Sequence, residues 1–565
     1  MKESSRPHLS RCSVALGLVC LLSACGGGFH KKWSDREVFS ILRSKSSHVP
    51  NSGNDLLSIL PPKAVDLEKM IRNTKLEEFL GDRALIEKDA KVLTLPDALG
   101  LGVGHNRTYL GQKESVYLTA LDLTLARHQF APIASGIGSG AYVGNNVEGA
   151  INQFTTEHTI TSNGTVGFSK LTSIGTRIAA DLSTDFVRFF TGGVRNLGDS
   201  KLAVTLAQPL LRGAGSLSVT EPLTQAERDV LYAIRDFTQY RKTFAIDIAS
   251  AYYQALQSRD AARNAYVAYS TIKDTLVAQK ALVEATRPGK TQSALGLLQQ
   301  AELNYHRRWI AAVKLYEENL DDLKLELAIP VTQPLMLDQG EMDRLELSDP
   351  PGTLNEALET AVVTRLDLWN ARDARDDALR QVKVAEHDLL PGLDVKGAYN
   401  VKSDPKSDDL NIDGKRRDFS VGLDLDLHLD QKPARNVLRA AQIKLQKADR
   451  DLELAQETVR KDVRASWRNL DVARKQYDIA QEGLRLSEVR LERERAMFEV
   501  DRSSSRDLID AQQALNDARD QRIAALVNHT IARLQLWKNM GILFIRKDGS
   551  WADVLARETP KGQGS

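Results

Sequence analysis

The sequence predicts a mainly α-helical protein with a membrane β-barrel, built from long antiparallel coiled-coil helical hairpins and a small number of strands. Three observations carry that prediction. Two helical stretches of about 65 residues repeat apolar positions at a three-four spacing, the mark of helices that supercoil around partners. Short segments that alternate apolar and polar residues stand between the helices, a strand signal. The order of these elements is written twice along the chain.

The first element is a leader. Lys2, Arg6 and Arg11 precede an apolar run from Val14 to Leu22, the layout of a secretory signal peptide. Leu22-Ser23-Ala24-Cys25 closes it and resembles a bacterial lipoprotein cleavage box, which implies that residues 1–24 are removed and that Cys25 is lipidated as the first mature residue. Gly26 stands where lipoproteins kept at the inner membrane typically carry Asp, so the same resemblance points to the outer membrane. All three cysteines, Cys12, Cys20 and Cys25, lie in this segment. The mature chain is therefore expected to have no disulfide and to draw its stability from elsewhere. Residues 25–92 form an extension to which the sequence assigns no structure.

Charge narrows the function. The 76 basic and 75 acidic residues nearly cancel, which excludes nucleic acid as a partner, because that would need a basic excess. The charges are interspersed, as on long solvated helix faces. After Cys25 no apolar run approaches the ~18 residues of a membrane-spanning helix. If the mature chain crosses a bilayer it must do so as a closed barrel, since open strands leave backbone groups unpaired in lipid.

The first repeat, residues 93–330, opens with Leu93-Thr94-Leu95-Pro96-Asp97-Ala98-Leu99 and a helical stretch to about Gln129, ended by Pro132. A region rich in Gly, Thr and aromatics follows to about Gly213. Two strands are expected there, with Asn145 to Gly167 as an extended surface loop and Gly136-Ile137-Gly138-Ser139-Gly140 as a flexible loop leading into a strand. That Gly-rich run lacks the Lys-Ser or Lys-Thr of a phosphate loop. A long helix from about Pro222 to Thr286, a break at Arg287-Pro288-Gly289-Lys290, and a helix from Ser293 to Ile329 complete the repeat. The second repeat, residues 331–541, runs in parallel. A helix from Leu354 to Leu390 is stopped by Pro391-Gly392. Leu393–Tyr399 and Phe419–Leu427 alternate as strands around a polar loop, Ser403 to Lys415. A helix from Pro433 to Phe498, a break at Asp501-Arg502-Ser503-Ser504 and a last helix to Met540 follow, with Gly541 placed as the C′ residue. Residues 542–565 are a tail. Gln299-Gln300-Ala301 beyond the first break is matched by Gln512-Gln513-Ala514 beyond the second, with Leu295 and Leu508 at the same interval before them.

The long helices carry a seam of alternating large and small residues: Leu438, Ala441, Leu445, Ala448, Leu452, Ala455 and Val459, resuming at Leu470, Ala473, Tyr477, Ala480 and Leu484. Ala226, Val230, Ala233, Phe237, Tyr240 and Phe244 repeat the spacing in the first half. At ~1.5 Å per residue each helix is a rod near 100 Å. Such a rod needs antiparallel partners, and the two breaks supply them as hairpin tips.

These residues resemble the TolC-like outer-membrane efflux proteins over about Leu93 to Gly541. The resemblance rests on Leu95, Ala98 and Leu99 with their repeat at Leu354, Ala357 and Leu358. It rests also on Arg365-Leu366-Asp367-Leu368, Ala385 to Pro391, Leu206 to Leu210, Ala434-Arg435-Asn436 and Ser504 to Leu515. The chain departs from the family where Leu366 stands for a frequent Pro and Asp501 for a frequent Gly. The resemblance implies a homotrimer in the bacterial outer membrane. Each protomer would give four strands to a twelve-stranded barrel, and its helices would form a periplasmic tube. It implies a passive channel without enzymatic activity, docked to a periplasmic adaptor and an inner-membrane transporter. Two alternatives stand beside it: a periplasmic coiled-coil adaptor, and a structural lipoprotein without a pore.

No cofactor or metal site is read from the sequence. The ten histidines are scattered, and His306 and His387 sit singly on helices, where solvation is the expectation. Asp507 and Asp510 differ. They are three apart, so they share a helix face just beyond the second tip, and they match the family's entrance aspartates. In a trimer each would form a ring of carboxylates that selects and binds cations. The other reading is a helix start, where acidic residues favour the dipole.

Overall fold

The structure is a computed structural model describing residues 27–53, 59, 67–68, 70–74, 76–148, 154–191, 195–284, 292–345, 347, 352–403, 412–427, 429–500 and 502–552. The leader, Cys25, the Arg287–Lys290 break and Asp501 lie outside the described residues. The chain forms two compact units, each from three segments: residues 1–45, 117–232 and 371–452 in one, and 46–116, 233–370 and 453–565 in the other.

The first unit is organised around one antiparallel sheet. Its strands are β2 (Ile133–Glu148), β3 (Phe154–Leu171), β4 (Arg177–Phe189), β5 (Arg195–Pro209), β7 (Gly392–Ser403) and β8 (Ile412–Asp426), in the order β2-β3-β4-β5-β7-β8. This corrects the expectation of four strands: the first repeat supplies four and the second two. The Gly136–Gly140 run is not a loop but part of β2, where Gly136 pairs with Val166 and Gly138 with Gly164. Asn145 to Gly167 is likewise no surface loop. It holds the end of β2 and most of β3. The ladder provides the reason. Extended backbone is available to Gly, and thirteen or more consecutive pairs on each side of β3 satisfy its N–H and C=O groups. Residue-level alternation is weak there because Gly136, Gly138, Gly140 and Gly144 take half of one face of β2.

Helices flank the sheet in the same unit. α1 (Gly27–Ser46) gives the extension a structure the sequence did not reveal, with Val38, Ile41 and Leu42 buried and Asp35 accepting a 2.6 Å bond from the Tyr117 hydroxyl. Leu438, Ala441 and Leu445, the start of the seam, pack on Val382 and Ala385. Asp377 is buried and accepts from Tyr232 at 2.5 Å, from Arg228 at 2.8 Å and from Arg380 at 2.8 Å. A buried carboxylate is tolerable only when so partnered.

In the second unit the repeats announce themselves by their caps. Thr94 caps α2 (Leu95–His105), and Thr353 with Glu356 forms a capping box on α6 (Leu354–Thr364). Each helix then breaks at one extended residue, Asn106 (φ −61°, ψ 126°) and Arg365 (φ −71°, ψ 121°). The single helices expected to Gln129 and Leu390 are therefore pairs, continued by α3 (Arg107–His128) and α7 (Leu366–His387). The Asn106 carbonyl oxygen Oδ1 accepts from Tyr109 N–H at 2.8 Å, which starts the second helix of its pair. A three-residue parallel ladder joins β1 (Lys91–Leu93) to β6 (Leu335–Leu337).

The long helices are α4 (Glu221–Glu284), α5 (Gln292–Glu326), α8 (Lys432–Glu499) and α9 (Ser505–Asn539). Val230, Phe237 and Phe244 of the first seam are buried, as are Val459, Leu470 and Ala473 of the second. Leu491 of α8 packs on Leu508, Ala511 and Leu515 of α9, so these two form a hairpin. Ala268 and Ile272 of α4 pack on Ala301 and Tyr305 of α5. Gly541 has φ +78° directly after the α9 cap, as the C′ position requires. The chain then turns back through β9 (Phe544–Ile545) and β10 (Trp551–Ala552). Buried Arg241 of α4 holds this return by donating to the Ile545 carbonyl at 3.1 Å and to the Asn51 carbonyl at 2.8 Å. Lys242 donates to the Gly541 carbonyl at 2.9 Å. Burial, with Arg241 and Arg365 nearby, pushes the Lys242 ammonium down to about 8.

Candidate functional site

The sheet registers assign every strand residue to one of two faces. On β7 and β8, Leu393 pairs with Leu425, Val395 with Leu423, Gly397 with Val421 and Tyr399 with Phe419. Val204 of β5 lies beside Tyr399, and Leu182 and Phe168 continue the same face across β4 and β3. This face is apolar and uncovered: Phe419 is 81%, Val421 78% and Leu423 73% exposed. Large apolar side chains in such a contiguous patch mark contact with an apolar phase or a partner.

The opposite face is charged. Asp394 pairs across from Asp424, Lys396 from Gly422 and Asn400 from Asp418, with Asp181, Asp199 and Lys201 on the neighbouring strands. Lys396 forms an ion pair with Asp424, and Lys402 Nζ meets Asp418 Oδ2 at 2.9 Å. At the helix-side ends of the strands a cleft of about 510 Å³ is lined by Arg177, Arg212, Asp394, Asp424 and Asp426, with Arg212 and Asp426 paired at 2.7 Å. An apolar face and a charged face, alternating by one residue along each strand, is the pattern of a sheet that separates an apolar phase from water.

The two aspartates singled out by the sequence lie at the start of α9. Asp507 and Asp510 are both exposed, while Leu508 and Ala511 point into the hairpin core. Asp507 forms a capping box with Ser504: the Ser504 hydroxyl donates to its carboxylate at 2.7 Å, and Asp507 N–H donates to Ser504 Oγ at 3.2 Å. Hydrogen bonds from the Ser504 hydroxyl and backbone hold the Asp507 carboxyl below the usual carboxylate range. The helix-start reading of Asp507 is therefore realised in its contacts. Asp510 lines a cleft of about 300 Å³ together with Arg307, Arg308 and Arg506. Sequence reasoning missed Arg307 and Arg308, which come from α5, because nothing in the α9 segment itself points to them.

His306 is not simply solvated. It is half-buried and belongs to a ring cluster, with its centroid 4.9 Å from Tyr269 and 5.7 Å from Trp309, which are themselves 5.5 Å apart. Among the described residues no group of three His, Cys, Asp or Glu could hold a metal ion, and no helix is long and apolar enough to cross a membrane. The extension docks on α5: Trp309 Nε1 donates to the Phe79 carbonyl at 2.6 Å, and the Tyr316 hydroxyl donates to buried Glu87 at 2.9 Å.

Residues 357–541 match the family model described as outer membrane efflux protein. A search of curated proteins finds no match. Among solved structures, the chain is similar to the Campylobacter jejuni CmeC outer membrane channel at 14% identity and TM-score 0.58, over 85% of this chain and 94% of that one. It is similar to the open state of the Neisseria gonorrhoeae MtrE outer membrane channel at 14% identity and TM-score 0.57, over 79% and 89%. The outer membrane protein VceC of Vibrio cholerae matches at 10% identity and TM-score 0.57, over 79% and 96%. The likeness to TolC-like outer-membrane efflux proteins thus holds in two ways: residues 357–541 match that family's model, and the chain has the fold of solved outer-membrane channels.

Proposed function

We propose that this protein is the outer-membrane exit duct of a tripartite efflux or secretion system. Three copies close their sheets into one barrel, and the long helices continue it as a tube in the periplasm. Residues 93–330 and 331–541 act as two structural repeats. Cys25 carries lipid that anchors the N-terminus in the outer membrane. A periplasmic adaptor and an inner-membrane transporter dock at the helix tips, and substrate passes without an energy source in the duct itself. Asp507 and Asp510 stand at the periplasmic mouth and favour cations.

One observation carries the reading: a six-stranded sheet with an exposed apolar face and a charged face. A coiled-coil adaptor or a pore-free structural lipoprotein has no use for such a sheet, and an adaptor has one hairpin where this chain has two long helix pairs. The test is single-channel recording of the purified protein in planar bilayers. Stepwise cation-selective conductance is expected. Asp507→Ala with Asp510→Ala should lower the cation selectivity and weaken block by multivalent cations. Folded protein that inserts without conducting would refute the duct, and a double variant blocked like wild type would refute the entrance role alone.

A further inference from the structure

The strand number has a geometric consequence. The sheet is open, with β2 at one edge and β8 at the other. In lipid both edges must find strands. The count of six is even, so β8 runs antiparallel to β2, and a second copy placed head to tail continues the antiparallel ladder across the seam. The two edges match in length, 16 residues in β2 and 15 in β8.

Their surfaces also match. On the face shared with Phe419, Val421 and Leu423, β2 presents Gly136, Gly138 and Gly140. A Cβ at Gly136 would meet nothing within 4 Å, and at Gly138 only the Asn163 carbonyl at 3.9 Å. One edge is a row of large exposed side chains and the other a row of empty positions beside it. Large side chains covering glycines on the adjacent strand is a recurring way to pin strand pairing.

The register closes the argument. Stepping through paired residues from Ile133 leads to Ser169, Ala179, Thr205, Ala398 and Ser420. Strand β8, however, reaches Asp426 at that end. Aligning the strand ends of β2 and β8 at the seam, Ile133 beside Asp426, therefore staggers each copy by about six residues. It also sets apolar face to apolar face, with Gly136 beside Leu423 and Gly138 beside Val421. Over three copies the stagger is about 18 for about 18 strands, which at ordinary strand spacings is a tilt of ~35°, inside the range real barrels adopt.

We propose that three copies of this chain pair β8 of one with β2 of the next and close an eighteen-stranded barrel, not a twelve-stranded one. The inference rests on the duct reading for the trimer. Barrel diameter grows roughly linearly with strand number, so this lumen is ~1.5 times as wide as that of a twelve-stranded barrel of equal tilt. The duct then passes bulkier cargo at its outer end.

Disulfide trapping in outer membranes tests it. Gly138→Cys with Val421→Cys in one chain should give, on oxidation, a ladder that stops at a covalent trimer. Val204→Cys with Tyr399→Cys, paired inside one sheet, is the control and should leave monomers. If Ala180→Cys with Val421→Cys links the copies instead, the β2–β3 hairpin lies outside a twelve-stranded barrel and the inference fails while the duct stands. A ladder ending at two or four copies, or no inter-copy bond at any position while the control bond forms, also overturns it. Loss of conductance in the parent protein is the separate result that sinks the duct itself.

Discussion

Replacing Val421 by Arg tests whether the apolar face of the sheet meets lipid. Val421 is 78% exposed in the protomer. In water, exchanging so exposed a residue on a surface strand is close to neutral, within about 0.5 kcal/mol. In a bilayer the same Arg stands near the middle of a spanning strand and costs about 2–4 kcal/mol. At 1.36 kcal/mol per factor of ten, that lowers the folded-to-unfolded ratio of each copy about 30- to 1,000-fold. Ser420→Arg is the matched control. One residue away, it faces the charged side, two residues from Asp418 on the same strand, and should change stability by less than about 0.5 kcal/mol. Refolding from urea into lipid vesicles, read by heat-dependent mobility on gels, measures both. Val421→Arg should shift the midpoint to lower urea while Ser420→Arg stays with wild type. Equal effects at 420 and 421, or a larger one at 420, would refute the assignment of faces.

Three further outcomes follow, the first from the sequence and the others from the structure. Mass spectrometry of the mature protein should find acylated Cys25 at the N-terminus, and an unmodified N-terminus elsewhere would refute the leader reading. Asp507→Ala should reduce amide protection in the first turn of α9 at neutral pH. Its carboxyl is held below the usual range, so its contribution is present above that range and lost as pH falls through the lowered value; the variant should therefore lack the wild type's acid-dependent loss of protection. Gly541→Ala places a Cβ at φ +78° against the Thr364 side chain, and should cost about 1–3 kcal/mol, seen as a lower denaturant midpoint; an unchanged midpoint would contradict the strain argument.

The parts of the fold legible in the sequence are those with a strong period. Phe419, Val421, Leu423 and Leu425 alternate strictly with Ser420, Gly422 and Asp424, so β8 is plain. The seams from Val230 to Phe244 and from Leu438 to Val459 mark the long helices because each turn repeats an apolar position. What escaped has no period to read. Strand β2 presents glycines where β8 presents Phe and Val, so its apolar face is nearly blank, and β3 is rich in Thr, which suits either face. The breaks at Asn106 and Arg365 cost no Pro or Gly, since one extended residue suffices. Asp507 and Asp510 could be placed on one face from their spacing, but Arg307 and Arg308 beside Asp510 arrive from α5 and belong to tertiary packing.

The β5–β7 seam has a consequence for how the protein is made. Strands β2 to β5 are a local meander, whereas Lys201 to Pro209 of β5 pair with residues 394–402, almost two hundred positions later. Contacts of such separation form slowly, because a large loop must close before they are rewarded. As the chain is made, the meander exists with β5 unpaired on its β7 side while the intervening helices are still to come. A strand edge of that kind is a template for pairing with the wrong chain. The nascent protein is therefore most vulnerable to aggregation between the arrival of β5 and that of β7.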